Sequence, residues 1–340
     1  YNLEINDLGA WQNVYFFESV KNQIQKFDTI LIDEIQDYMQ EWIDIISKYF
    51  LHEESEWVVF GDEKQNIYNR ELDESNEIIT RQISGPWNKT LNNTNPRKPS
   101  FRMSNYIYII ALRFQINFFT QKYNLDFDSL FIKQFKDNLQ LALDFQSRII
   151  EYYYFYTYSS QKLFDLIYRV LSKNQIHSSD VGILCSKVEH LRDLDFLIRT
   201  SKNENTATTF ETLEEFNTIK EEETKKLLNK GIPENEIKFN INKAMQDKLE
   251  EIRKIRKNHF WMKTGTVKLS TVHSFKGWEI DTLFLFIEHE EEDKELINAE
   301  LVYTGLTRAR KNLIVFNLRN NKYDNFFKDE NETKLHLFHK

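Results

Sequence analysis

The segment Thr29-Ile30-Leu31-Ile32-Asp33-Glu34-Ile35-Gln36-Asp37 opens on apolar and β-branched residues and closes on an acidic cluster. Further along, Trp57-Val58-Val59-Phe60 runs into Gly61-Asp62-Glu63-Lys64-Gln65-Asn66-Ile67-Tyr68. Each apolar run has the length of a short buried strand and carries its acids at its carboxyl end. Between the two, Trp42, Ile43, Ile45, Ile46, Tyr49 and Phe50 recur at helical spacing. Strand, helix and strand make a βαβ unit, and open parallel sheets bind ligands outside the carboxyl ends of their strands. The spacing therefore predicts an α/β fold with these acids placed for chemistry.

Outward from this unit the pattern repeats. The aromatic run Tyr152 to Tyr158 is followed by Leu163, Leu166, Ile167, Val170 and Leu171 at helical spacing, then by a strand at Val181-Gly182-Ile183-Leu184. From residue 204 to residue 262 the chain turns helical and highly charged, broken by Gly231-Ile232-Pro233, and reads as a helical insertion. The α/β pattern resumes with strands at Val267 to Thr271 and Thr282 to Ile287, a helix around Leu301 to Ala309, and a strand at Asn312 to Phe316. The predicted organisation is a first lobe over 1–120, a second lobe over 121–203 and 263–340, and the insertion at 204–262.

Composition sets the bounds. A chain of 340 residues can fill two domains. With 8 Gly and 4 Pro it favours long helices over loop-rich all-β architecture. The single cysteine, Cys185, excludes an internal disulfide framework and a cluster of cysteine ligands, and reads as a buried core thiol. No run approaches the roughly 18 to 20 apolar residues that a membrane-spanning helix needs, and no signal peptide opens the chain, so a cytoplasmic location is expected. The net charge of −8 gives no global attraction for nucleic acid. Local fields decide instead: the stretch from Glu288 to Asp293 is acidic, whereas Lys248 to Lys263 is rich in Lys and Arg.

An Asp-Glu pair at the end of a buried strand supplies one carboxylate for Mg²⁺, here Asp33, and a second, Glu34, that can deprotonate an attacking water. Alone, such a pair reads equally well as two solvated acids. The Gly61-Asp62 turn and the uncharged amide of Gln65, suited to sensing a terminal phosphate, tip the balance. The two segments together resemble motifs II and III of superfamily 1 DNA helicases of the UvrD/Rep type. Three more resemblances follow in that family's order. Ser100-Phe101-Arg102-Met103-Ser104-Asn105-Tyr106-Ile107 is similar to motif IV, and the stretch from Lys268 through Thr271-Val272-His273-Ser274-Phe275-Lys276-Gly277-Trp278-Glu279 to Asp281 is similar to motif V. Leu301-Val302-Tyr303-Thr304-Gly305-Leu306-Thr307-Arg308-Ala309-Arg310 is similar to motif VI.

The resemblance implies two RecA-like parallel-sheet lobes, the first incomplete at its N-terminus, with ATP and Mg²⁺ held between them. It places Phe101 beside the adenine, Arg102 and Arg308 on the γ-phosphate, and Glu279, after Gly277, on the ribose. Planar guanidinium donors of this kind accelerate phosphoryl transfer by about 10³ to 10⁵. Thr271, His273 and Ser274 fall where the family meets nucleic-acid phosphates, although His273 reads equally as a structural histidine. Asp33, Gln65, Arg102, Glu279 and Arg308 are all expected at the carboxyl ends of their strands.

Two departures stand out. None of the eight glycines belongs to a Gly-Lys-Thr/Ser phosphate loop, so the chain on its own is expected to hydrolyse ATP poorly. The retained polar residues favour a chain that starts downstream of that loop over a lapsed ATPase. Motif III also lacks the usual base-stacking aromatic, leaving Tyr68, Arg70 or Trp87 to take its part. The reading is part of an ATP-dependent DNA helicase moving 3′ to 5′ on single-stranded or partly duplex DNA. Its rivals are a catalytically inactive helicase-like scaffold and the motor of a nuclease or repair complex.

Overall fold

The computed structural model describes residues 13–68, 103–122, 149–289, 298–329 and 334–338. Arg70, Trp87, Phe101 and Arg102 lie outside them. The chain divides into two units, one of residues 1–98 and 118–140, the other of residues 99–117 and 141–340.

In the first unit, α1 (Val14–Val20) is capped by Asn13, whose side chain accepts from the Tyr15 amide at 2.9 Å. The predicted βαβ unit follows as β1 (Phe27–Ile32), α2 (Gln40–Ile45) and β2 (Leu51–Val59). The crossover helix is shorter than its apolar spacing suggests. It widens into a π-turn at Ile46–Phe50 that feeds straight into β2. β1 and β2 pair in parallel, with Ile30 opposite Trp57 and Ile32 opposite Val59. Ile32, Ile35 and Ile43 form the small core beneath them. The other face differs from the expected buried strand: Leu31 is 68% exposed and Val58 36%. Parallel strands are buried on both faces only where helices cover both. Among the described residues, the core lies on one side alone.

The second unit is built on a seven-stranded sheet of order β5-β6-β4-β7-β8-β3-β9, parallel at every pairing. Its elements in chain order are α3 (Asn105–Phe118), β3 (Ile150–Phe155), α4 (Ser160–Lys173), β4 (Val181–Cys185), α5 (Val188–Lys202), β5 (Thr206–Thr208), α6 (Leu213–Asn229), α7 (Glu234–Asn258), β6 (Val267–Thr271), α8 (Val272–Phe275), β7 (Ile280–Ile287), α9 (Ala299–Leu306), β8 (Ala309–Leu318), α10 (Asn321–Asp329) and β9 (Lys334–Phe338). The predicted strands and the α4 helix fall here. Leu163, Leu166, Ile167, Val170 and Leu171 of α4 pack into one core with Val181, Ile183, Leu269, Phe284, Ile314 and Phe316 from the strands. Every residue of β3 and β4 is buried.

Two boundaries move. The region predicted as insertion begins with β5, which joins the sheet edge through Thr206 opposite Val267. Its Thr-Ala-Thr sequence is too short and too polar to announce a strand. The helical part is a hairpin of α6 and α7, turned at Gly231 with φ of +79°, a conformation glycine adopts without steric cost. Thr212 and Glu215 close a reciprocal capping box at its entry, and Ile219, Leu227, Ile237, Ile241 and Met245 form its own core. The second change concerns α3, which starts at Asn105 near the end of the motif IV stretch, within the span predicted as the first lobe. It falls in the second unit, where Phe114 stacks on Tyr323 of α10 at 5.8 Å and Gln115 donates to the Tyr303 hydroxyl at 2.9 Å.

Candidate functional site

The acidic cluster of the first unit is organised by the ends of β1 and β2. The Phe60 amide donates to the Ile32 carbonyl at 2.8 Å, and the Ile35 amide returns to the Phe60 carbonyl at 2.9 Å. Between these rungs Glu34 takes a left-handed backbone, φ 54° and ψ 44°. Such a conformation in a non-glycine residue costs on the order of 1–3 kcal/mol and clusters at functional sites. It is steadied by the Glu34 amide, which donates to Asp33 Oδ1 at 2.9 Å.

Gln36, 1% exposed, ties the two motifs together. Its amide nitrogen donates to the Glu34 carboxylate, and its Oε1 accepts from the Asp62 amide at 3.1 Å. Asp62 in turn accepts from the Lys64 amide at 3.1 Å and from Gln65 Nε2 at 3.0 Å, with Lys64 Nζ at 3.2 Å. The structure thus links Glu34 to Gln65 through Gln36 and Asp62, with the Asp33 carboxylate beside them. Sequence reasoning quoted Gln36 and gave it no role. The signal was its position two residues past the acids, where a long amide can span both strand ends. Tyr68 follows, 45% exposed.

The second unit presents two edges. At the carboxyl edge Thr271, last residue of β6 and level with Cys185 at the end of β4, caps α8. Its hydroxyl accepts from the Ser274 amide at 3.2 Å and donates to the Ser274 hydroxyl at 3.0 Å. His273 is half-buried in the same single turn. Lys268 within β6 is fully buried and donates to the Ser179 carbonyl at 2.8 Å. Burial holds its ammonium below the ordinary lysine range, the mark of a structural cation.

At the amino edge stand Glu279 and Arg308, one residue ahead of β7 and β8. The Ile280 amide donates to the Arg308 carbonyl at 3.0 Å, and Ile280 pairs with Ala309. The Ser104 amide donates to the Arg310 carbonyl at 2.7 Å, bringing the end of motif IV to this edge. Gly277, with φ of +87°, provides the left-handed turn that leads to Glu279. The expectation that Glu279 and Arg308 lie at carboxyl ends is therefore corrected. Motif V spans the sheet: Thr271 closes one strand, the chain crosses back through α8, and Glu279 precedes the next. The edges are about 16 Å apart for a strand of five residues at about 3.3 Å each.

Arg308 is 5% exposed. Its Nε donates to the Thr304 carbonyl at 3.1 Å and a terminal nitrogen to the Thr307 hydroxyl at 3.1 Å, so the guanidinium closes the last turn of α9. Gly305 in that helix packs closely on β7: a Cβ there would come within 2.6 Å of a Leu285 methyl, which would have to shift. Among the described residues no helix is long and apolar enough to cross a membrane.

Residues 266–316 match a family model described as the UvrD-like helicase C-terminal domain. The match runs from the start of β6 through most of β8 and takes in both the Thr271 turn and the pair of Glu279 and Arg308. Among solved structures, the C-terminal domain of a possible DNA helicase from Lactobacillus plantarum WCFS1 is similar, at 11% identity and a TM-score of 0.38, over 70% of this chain and 99% of that one. No curated protein sequence matches the chain.

Proposed function

We propose that the chain is part of an ATP-dependent DNA helicase or translocase that turns ATP hydrolysis into movement along single-stranded DNA, in the 3′ to 5′ direction. The observation that carries this reading is the helicase family match, within which the Ile280 amide, next to Glu279, donates to the Arg308 carbonyl across neighbouring strands. In this reading Asp33 holds Mg²⁺, a hard cation that takes oxygen ligands, and its exposed carboxylate at a strand end fits that chemistry. The bound ion would neutralise charge developing on the transferred phosphoryl oxygens. Glu34, oriented by Gln36, takes the proton of the attacking water. Gln65 exchanges its hydrogen bond to Asp62 for one to the terminal phosphate. Glu279 holds the ribose, Phe101 flanks the adenine, and Arg102 and Arg308 supply the transition-state donors. Thr271, His273, Ser274, Tyr68 and Arg70 meet the DNA.

One observation favours a second reading, a helicase-like scaffold without catalysis: Arg308 is buried, with two of its nitrogens bonded to its own helix end. Steady-state ATP hydrolysis and single-strand binding by the full-length parent separate the two. With Glu34→Gln, the motor reading expects turnover to collapse while Mg²⁺, ATP and DNA are still bound, since the change keeps shape and removes the base. Unchanged turnover would leave the scaffold reading ahead.

A further inference from the structure

The carboxyl edge of the seven-stranded sheet holds polar side chains that the ATP chemistry leaves unused. Cys185 ends β4, His190 lies in the first turn of α5, and Glu288 follows the last residue of β7. Because β4 and β7 are parallel neighbours, the two strand ends and the helix start converge. Cys185 and Glu288 are 1% and 2% exposed, whereas the His190 side chain keeps 20% of its surface in solvent. The thiol donates to Glu288 Oε1 at 2.8 Å, and His190 Nδ1 lies 3.8 Å from the sulfur and 3.9 Å from that same oxygen.

We propose that Cys185, His190 and Glu288 form a three-ligand site for a divalent transition-metal ion, zinc before others, that ties β4, α5 and β7 together. The single cysteine excludes a cluster of thiolates, but a set of one sulfur, one nitrogen and one oxygen needs no second one. These are the donors zinc accepts, and three protein ligands leave a fourth position for water on the side where His190 meets solvent. All three donor atoms lie within 4.8 Å of one another. A tetrahedral centre with bonds of about 2.0–2.3 Å spaces its ligand atoms about 3.4–3.6 Å apart. Both edges at His190 are already close to that spacing. The sulfur–oxygen edge is shorter because the thiol proton bridges it; on binding, that proton leaves to solvent, the thiolate ligates, and the edge opens by roughly 0.7 Å.

The surroundings hold each ligand in place. Glu288 Oε1 accepts from the Lys187 amide at 2.6 Å and the Ser186 amide at 3.1 Å, and Oε2 from the Ser186 hydroxyl at 2.6 Å. The imidazole stacks on Tyr158 with ring centroids 4.0 Å apart, and the Tyr158 hydroxyl bonds Asp193 at 3.2 Å. Outer partners of this kind orient metal ligands, and their loss costs about 10- to 100-fold in affinity.

Cobalt(II) titration of the metal-free chain tests the site, because a thiolate ligand gives cobalt a charge-transfer absorption that carboxylates and imidazoles do not. The expected result is one equivalent bound with that band, displaced by equimolar zinc. Cys185→Ser, whose hydroxyl still donates to Glu288, should abolish the band, and His190→Ala should weaken cobalt binding at least about 10-fold. No charge-transfer band in the parent chain, or a band unchanged by Cys185→Ser, would overturn the proposal. Should the serine variant not fold by circular dichroism, His190→Ala, at the least buried of the three positions, decides: unchanged cobalt affinity there would equally sink it. Both readouts are independent of ATP hydrolysis, so the site stands or falls apart from the motor reading.

Discussion

The two parallel sheets of this chain are written in similar sequence and end in different physical states. In the first unit two strands rest on a core of a few isoleucines, and Leu31 keeps 68% of its surface in water. In the second, Ile183, Leu184, Leu283 and Phe284 are all fully buried. An apolar run therefore announces a strand but not its depth, which depends on how many neighbours cover it. The division extends to chemistry. The acids of the first unit stand at open strand ends, whereas Arg308 is embedded at the edge of a deep sheet.

The sharpest test of that contrast is Arg308→Ala in the full-length parent. If the buried guanidinium turns outward to the phosphoryl group, ATP turnover should fall by about 10³ or more, and Arg308→Lys should rescue little, since a point charge cannot replace the planar fork. A fall in melting temperature with turnover preserved would make Arg308 a helix-end brace alone. Next in size, Phe284→Ala should cost about 3–5 kcal/mol in urea unfolding, whereas Leu31→Ala should stay within about 0.5 kcal/mol. Equal costs would erase the distinction between the sheets.

Gln36→Leu should be intermediate. It removes the hydrogen bonds that Gln36 makes to the Glu34 carboxylate and the Asp62 amide, at about 1–3 kcal/mol, and loosens the Gly61–Gln65 turn against β1. Hydrogen exchange at the Asp62 amide reads this directly; protection equal to that of the parent would deny Gln36 its linking role. The smallest effect is expected from acid. The Arg199 guanidinium holds the Glu214 carboxyl at about 2, below its ordinary 4.5. A carboxyl depressed in the fold stabilises above its unfolded value, and that contribution fades as the pH falls from about 4.5 towards 2. Proteolysis should therefore release the α6–α7 hairpin on acidification before the sheet opens. Simultaneous loss of both would show that the pair of Arg199 and Glu214 does not govern hairpin docking.

Much of this architecture was legible in the chain. Period and length marked β4, β6, β7 and α4, because buried strands and amphipathic helices leave strong apolar signatures. What escaped was set by partners distant in sequence. β5 is a strand only because Val267 lies beside it, and α3 joins the second unit because Phe114 finds Tyr323. The candidate site was legible as residue types and not as placement. Motif order cannot reveal that Thr271 and Glu279, eight positions apart, occupy opposite ends of a sheet, nor that Gln36 joins two acidic turns.

That separation has a mechanical corollary. Between the Thr271 turn and the rung of Ile280 with Arg308 lie strands whose central residues, Ile183, Leu184, Leu283 and Phe284, are fully buried, and close-packed material of that kind transmits displacement with little compression. In the motor reading, a nucleotide pulling on Glu279 would thus reach the Thr271 turn, the proposed nucleic-acid side, as tilt of an entire slab, with the strands acting as struts. Backbone amides of Leu283 to Phe286 should then exchange equally slowly with and without nucleotide, while those of the α8 turn respond. Softened central strands would replace the strut with a hinge.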